Sequence, residues 1–307
     1  MIEIKVKYKE RIDKYISDNS EISRNDIKEL IKLGAVQCDN DIVRKPNYIP
    51  KIDSIIKITK LLDKEIKLTS EKIDFEIIFQ NENYIIINKP NNLVVHPSPS
   101  HPNNTLVNGL LYYFKNNLSN NNGLLRPGIV HRIDKDTTGL LLIAKNNIAH
   151  NYFAEMIKNH QVKREYLAIV ENWPDQDIYH INLPIGRDKM DRKKMGVTNI
   201  DSKNAITHIY VLKKFEYNNK KLALVKCILE TGRTHQIRVH LNYINYPVYN
   251  DPTYGNKEND FHQYLHAYKL SFCDPFDSKN KSFFAKPPKE FDISMYDFLN
   301  LKNDNRN

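Results

Sequence analysis

Glycine is scarce: the chain has 9 in 307 residues, about half the roughly 7% share usual in soluble proteins. A chain this poor in its most permissive residue keeps a glycine where the backbone demands one. Gly128, Gly139, Gly186, Gly232 and Gly255 therefore mark segments of interest. Cysteine is scarcer still. Cys38, Cys227 and Cys273 are an odd, widely scattered set without CxxC spacing, which argues against a disulfide framework and a cysteine zinc site. No apolar run approaches the roughly 18 residues of a membrane span. The opening MIEIKVKYKE lacks the apolar stretch of a secretory signal. The expectation is a soluble cytoplasmic protein, monomeric by default, with no membrane partner.

What the chain does have is positive charge. Its 46 Lys+Arg exceed its 37 Asp+Glu, a formal net charge of +9, and such an excess suits a polyanionic partner, because each phosphate neutralised releases condensed counterions. Hydrophobic residues make up 40%, enough for packed cores, and the length suggests two domains.

Residues 11 to 58 read as a small unit. RIDKYI opens one helix and SRNDIKELIKLG forms a second, with Ser23 at its start, Ile27, Leu30 and Ile31 at helical spacing, and Gly34 as a left-handed exit. Arg24, Lys28 and Lys32 share one face of that helix. VQCDN and SIIKI follow as short extended runs. The expected division is a first domain over 1–62, a polar linker over 63–71 and a second domain over 72–307. In the latter, FEIIF and NYIIINKP predict a hairpin, and GLLLIAK, ALVKCILE and THQIRVHL read as further strands. NTLVNGLLYYF and AHNYFAEMIKNH read as helices. This mixture predicts an α+β domain, a sheet with helices packed on it.

The densest polar cluster lies in RPGIVHRIDKDTTGLLLIAK, residues 126 to 145. His131, Arg132, Asp134, Lys135, Asp136, Thr137 and Thr138 cannot all be buried without partners. Two readings fit: a site gathered at a sheet edge, or an ordinary turn capped by Asp136 and the threonines. PIGRDKMDRKKMG carries Arg187, Lys189, Arg192, Lys193 and Lys194, with a turn glycine expected at each end. It is either a phosphate-contacting loop or a solvated one. His235 and His240 fall on an expected strand, and His262 and His266 have the spacing of a helical face. Neither pair brings a third ligand, so no metal is expected.

Two resemblances sharpen this reading. Arg11, Ile12, Asp13, Lys14 and Tyr15, then Ser23, Arg24, Ile31, Gly34 and Val36, resemble the S4 RNA-binding domain. Asp41 stands where that family has the Gly of an Asn-Gly turn, and Ile52 precedes Asp53 where Gly-Asp is usual. HRIDKDTTGLLLIAK resembles the signature of the RluA-type family of pseudouridine synthases, with Ile133 for Leu. NKPNNLVVHP, KREYLAIV, LETGRTHQIRVHL and YPVYNDPTYG resemble its other segments in order, with Asn92, Tyr246 and Asn250 as departures. The RluD subgroup, which acts on large-subunit ribosomal RNA, also joins an S4 domain to its catalytic domain; other members modify transfer RNA.

The resemblance implies a mixed, largely antiparallel sheet with flanking helices, and isomerisation of uridine to pseudouridine. That reaction breaks C1′–N1, turns the uracil and joins C5 to C1′, consuming no redox agent and needing no cofactor. It further implies Asp134 as the central carboxylate, attacking the sugar or abstracting the 2′ hydrogen. Burial raises a carboxyl pKa, so a cation is wanted beside it, and Arg238 is the implied partner. Tyr166 is implied to lie against the uracil and to help remove the C5 proton. Arg132 is implied to fill the space an everted nucleotide leaves, and His131 either joins this RNA-facing group or holds the loop. Arg187, Lys189, Arg192, Lys193 and Lys194, with Arg24, Lys28 and Lys32, complete the expected RNA contacts. The rival readings are a non-catalytic RNA-binding assembly factor on the same scaffold and a metal-dependent RNA hydrolase, the latter disfavoured by the missing ligand set.

Overall fold

The computed structural model describes residues 2–20, 22, 24–60, 68–99, 101–115, 117–123, 125–191, 194–298 and 301. Ser23, Arg192, Lys193 and most of the expected linker lie outside them. The chain divides into two units, Met1–Glu65 and Ile66–Asn307.

The first unit contains β1 (Ile2–Lys5), α1 (Ile12–Asp18), α2 (Arg24–Lys32), β2 (Val36–Cys38), β3 (Asp41–Ile42) and β4 (Ile55–Ile58). Its strands pair antiparallel in the order β1-β4-β2-β3. Ile12, Ile16, Ile27, Leu30 and Ile31, apolar at helical spacing, pack with Val36, Ile56 and Ile58 of the sheet. Gly34 leaves α2 at φ 69°, as its position predicts. The β2–β3 turn is formed by Asp39 and Asn40, at φ 51° and 74°, between the paired Cys38 and Asp41. The expected turn at Asn40-Asp41 is thus displaced by one residue, and Asp41 begins β3. Asn and Asp tolerate left-handed backbone because their short side chains bond locally.

The second unit holds β5 (Glu76–Gln80), β6 (Tyr84–Lys89), α3 (Leu106–Phe114), β7 (Thr138–Ala144), α4 (Asn147–Lys158), β8 (Lys163–Glu171), β9 (Ile178–Asn182), β10 (Ile185–Arg187), β11 (Met195–Val197), β12 (Ile206–Tyr217), β13 (Lys220–Leu229), α5 (Gln236–Tyr243), β14 (Leu265–Cys273) and β15 (Asn280–Phe284). A nine-stranded sheet runs β5-β6-β7-β14-β8-β13-β12-β9, with β15 on β14. Only β7 and β14 pair parallel among its described strands, so the sheet is mixed and largely antiparallel, as expected. Alternation sorts its residues. Ile85, Leu141, Tyr166 and Val225 face a core shared with α3 and α5, while Tyr84, Leu142 and Phe153 pack on the other face. Gly139 sits where β7 meets β14: a Cβ there would lie 2.3 Å from the Ala267 carbonyl oxygen.

Three expectations fail. THQIRVHL is the helix α5, because it is covered on every side and its branched residues mimic strand alternation. Ile237 and Leu241 face the main core, and Val239 faces β10 and β11. Gly186 and Gly196 are not turn glycines but pair opposite each other in the β10–β11 hairpin. His262 and His266 share no helical face, since His266 lies in β14 and bonds Thr138 Oγ1 at 2.8 Å, and His262 adopts φ 64° before the strand. No described helix is long and apolar enough to cross a membrane.

Candidate active site

The loop before β7, the inward face of β8 and the segment entering α5 enclose a cleft of about 500 Å³, lined by Arg132, Asp134, Arg164, Tyr166, His235 and Arg238 among others. The structure therefore brings Asp134, Tyr166, Arg238, Arg132 and His131 together. Each arrives for a local reason. Tyr166 lies on the face of β8 that alternation turns toward the cleft and is buried. His235 takes the left-handed conformation at φ 57°. The chain then winds into α5, placing Arg238 one turn in.

Arg238 is 4% exposed and forks between two carboxylates. Its Nη1 donates to Asp134 Oδ2 at 2.8 Å, while Nε and Nη2 donate to Asp251 Oδ2 and Oδ1 at 2.6 and 2.8 Å. Asp251 is wholly buried and also accepts the Thr253 amide at 2.8 Å. Burial would raise the Asp134 pKa, but Arg238, His235 and Arg132 outweigh it and hold the carboxyl below its ordinary value. Burial disfavours the Arg238 charge, and Asp251 and Asp134 more than restore it. His235 Nε2 stands 3.9 Å from Asp134 Oδ1. Tyr166 is pushed up by burial, so its hydroxyl keeps its proton at neutral pH.

The loop carrying Asp134 is pinned on both flanks. Lys89, wholly buried, donates from Nζ to the carbonyls of Pro90, Leu93 and Lys135 at 2.8, 2.9 and 2.7 Å. Gln263 donates to Thr137 Oγ1 at 2.6 Å, and the Thr137 amide returns to the Asp134 carbonyl at 3.2 Å. Asn92, in place of the expected Gly, adopts φ 59°, and Asn250 likewise adopts φ 61° beside Asp251. Asparagine thus occupies left-handed positions that a glycine-rich chain would give to glycine.

His131 holds the loop: its Nε2 accepts the Leu142 amide at 3.0 Å, and burial with Arg164 pushes it down to about 3. Arg132 is exposed at the rim, its Nη1 3.4 Å from His96 Nε2. Lys189 is exposed at the tip of the β10–β11 hairpin, Arg187 ends β10, and Lys194 is half-buried. In the first unit, Arg24 turns inward to the buried Asp13 at 3.0 Å, Lys32 pairs with Glu29 at 2.7 Å and Lys28 is half-buried. The sequence reading passed over Asp251, Lys89 and Arg164. Asp251 was visible as an acid within YPVYNDPTYG, but its partner lies 13 residues away.

Comparison with known proteins identifies the family. The family model described as RNA pseudouridylate synthase matches residues 83–243, and the S4 domain matches residues 10–56. Over 284 residues the chain is 42% identical to the uncharacterized RNA pseudouridine synthase YlyB of Bacillus subtilis, covering 92% of this chain and 91% of that one. It is 36% identical over 296 residues to the ribosomal large subunit pseudouridine synthase D of Zymomonas mobilis, covering 92% of each. The counterpart of that name in Borreliella burgdorferi is 35% identical over 310 residues, covering 96% of this chain and 93% of that one. Human RNA pseudouridylate synthase domain containing 1 shares the fold, with a TM-score of 0.58 at 24% identity over 70% of this chain and 84% of that one.

Proposed function

The chain belongs to the RNA pseudouridylate synthase family and converts uridine to pseudouridine in RNA, and from that premise we propose that it acts on large-subunit ribosomal RNA with Asp134 as the central carboxylate. The names of the Zymomonas and Borreliella relatives support the substrate. The observation that carries the chemical assignment is the buried Arg238 guanidinium held against Asp134 Oδ2 in the cleft that Tyr166 also lines.

A uridine turned out of its RNA stack enters this cleft. Asp134 then either bonds C1′ or removes the 2′ hydrogen, and both routes require it ionised, which Arg238 secures. The C1′–N1 bond breaks, the uracil turns against Tyr166, and C5 bonds C1′ as the Asp134–C1′ bond breaks in the first route, or as Asp134 returns the hydrogen to C2′ in the second. N1 takes up a proton and C5 loses its own, the neutral Tyr166 hydroxyl helping by relaying that proton outward, which restores aromaticity. Arg132 at the rim enters the vacated stack, and Lys189 and its hairpin neighbours contact phosphates. Residues 1–62 form an RNA-binding domain joined through 63–71 to the catalytic domain over 72–307, and the protein works as a cytoplasmic monomer.

RNA carrying tritium at uridine C5 tests this. The wild-type protein releases tritium without shortening the RNA, and Asp134→Asn abolishes release while RNA binding persists. Release by the variant at the wild-type rate removes Asp134 from its role. Pseudouridine mapping in cells with and without the gene tests the substrate: sites lost from transfer RNA instead of large-subunit RNA overturn it.

A further inference from the structure

We infer that Arg164 is a further catalytic residue, its guanidinium donating to a carbonyl oxygen of the uracil as the base leaves C1′. The inference rests on the reading of the Asp134 cleft as the uridine site.

Strand alternation places Arg164 beside Tyr166 on the cleft face of β8. The intervening Glu165 points the opposite way, to Lys269 Nζ at 3.0 Å and Tyr268 Oη at 2.7 Å, so it does not neutralise Arg164. Arg164 is 6% exposed, and its Nε is buried with no hydrogen-bond partner among the described residues. Nη2 reaches only the Glu230 carbonyl, at a long 3.4 Å. The Glu230 carboxylate is engaged elsewhere, with His208 Nε2 at 2.6 Å. Arginine cannot shed its proton to escape burial, so an under-bonded buried guanidinium at a cleft wall awaits an acceptor.

The backbone packed against it leaves room for it. A Cβ at Gly232 would lie 2.5 Å from Arg164 Nη1, so any other residue there would displace the guanidinium. Arg164, Tyr166 and Asp134 all line the one cleft. A base resting on Tyr166 with C1′ at Asp134 has Arg164, two residues from Tyr166 on the same strand face, beside its carbonyl edge in this reading. When C1′–N1 breaks, the electron pair stays on the uracil and spreads from N1 to O2 and O4. A fixed cation in a dry cleft stabilises that charge, is not consumed, and releases it as C5 bonds C1′ and loses its proton.

Single-turnover tritium release and RNA affinity across salt concentrations, for wild type, Arg164→Lys and Arg164→Met, test the inference. Arg164→Met lowers the saturating rate about a hundredfold, leaves the RNA dissociation constant and its salt slope unchanged, and melts no lower than wild type. Arg164→Lys recovers much of the rate. With 5-fluorouridine at the target, followed by nucleoside analysis after digestion, the deficit of Arg164→Met shrinks, because that base carries negative charge more readily. An unchanged rate overturns the inference. Weaker binding with a smaller salt slope and a normal saturating rate also overturns it, and assigns Arg164 to a phosphate. A lowered melting temperature with equal rate loss in both variants overturns it in favour of a structural role. Release by Asp134→Asn is the separate result that would unseat the site itself.

Discussion

Asp251 grips Arg238 through two parallel hydrogen bonds, Nε to Oδ2 at 2.6 Å and Nη2 to Oδ1 at 2.8 Å, which leaves Nη1 aimed at Asp134. A planar fork held at two donors has little freedom at the third. Asp251 therefore positions the cation that keeps Asp134 charged.

Removing that grip is expected to cost both stability and rate. Asp251→Ala leaves Arg238 buried with half its partners, and breaking a buried pair costs about 3–5 kcal/mol. Asp251→Asn keeps an acceptor and loses less. Chemical denaturation gives the first quantity and single-turnover tritium release the second. Wild-type rates in a folded Asp251→Ala protein would show that Arg238 needs no second carboxylate.

The same ion pair sets a pH dependence. The folded pKa of Asp134 lies below its ordinary value of 3.8, so above that value its ionised form favours the folded state. This contribution is lost as pH falls through the folded pKa, because the unfolded chain takes up the proton first. The stability difference between wild type and Asp134→Asn should hold level from about pH 7 to 5 and shrink only in more acid solution. Denaturant titrations at each pH measure it. A difference that vanishes between neutrality and pH 5 would mean the carboxyl is not held by Arg238.

Much of this architecture was legible in the residues. The β5–β6 hairpin, β7, β13, α3 and α4 follow from periodicity, and Gly34 ends α2 where its spacing placed it. α5 was not legible, because periodicity reports a single buried face and this helix has several: His240 bonds Thr207 Oγ1 at 2.9 Å while Ile237 packs into the core. Asp251 and Lys89 escaped for another reason. Their importance lies in contacts distant along the chain, and Lys89 binds backbone carbonyls, which carry no sequence signature. Glycine scarcity itself misled at Asn92 and Asn250, departures that keep the left-handed backbone intact.

Lys189 stands exposed at a hairpin tip whose turn is closed by Asp188, its Oδ1 accepting the amides of Met190 and Asp191 at 2.7 and 2.9 Å. A phosphate contact there positions RNA without reading its sequence. Lys189→Gln should weaken RNA binding and reduce the slope of log affinity against log salt by about 0.7–0.9, with an unchanged saturating rate. Binding measured across roughly 50 to 200 mM salt separates this from a solvated lysine, which would leave the slope untouched.

Tyr254 ties the same hairpin to the cleft. Its hydroxyl accepts the Met195 amide at 2.9 Å and donates to the Met195 carbonyl at 3.2 Å, and His235 Nδ1 lies 2.9 Å away. The Tyr254 ring also lies 5.1 Å from the Arg238 guanidinium. Tyr254→Phe keeps that ring contact and removes only the hydroxyl. It is expected to cost about 1 kcal/mol of stability and to slow turnover about tenfold, the kinetic equivalent of roughly 1.4 kcal/mol. Because the hairpin loses its tether, the Met195 amide should exchange its hydrogen faster while amides of β7 and β8 do not. Unaltered protection at Met195 together with a normal rate would mean that the hairpin and the cleft are held together by packing of Val239 and Tyr254 alone.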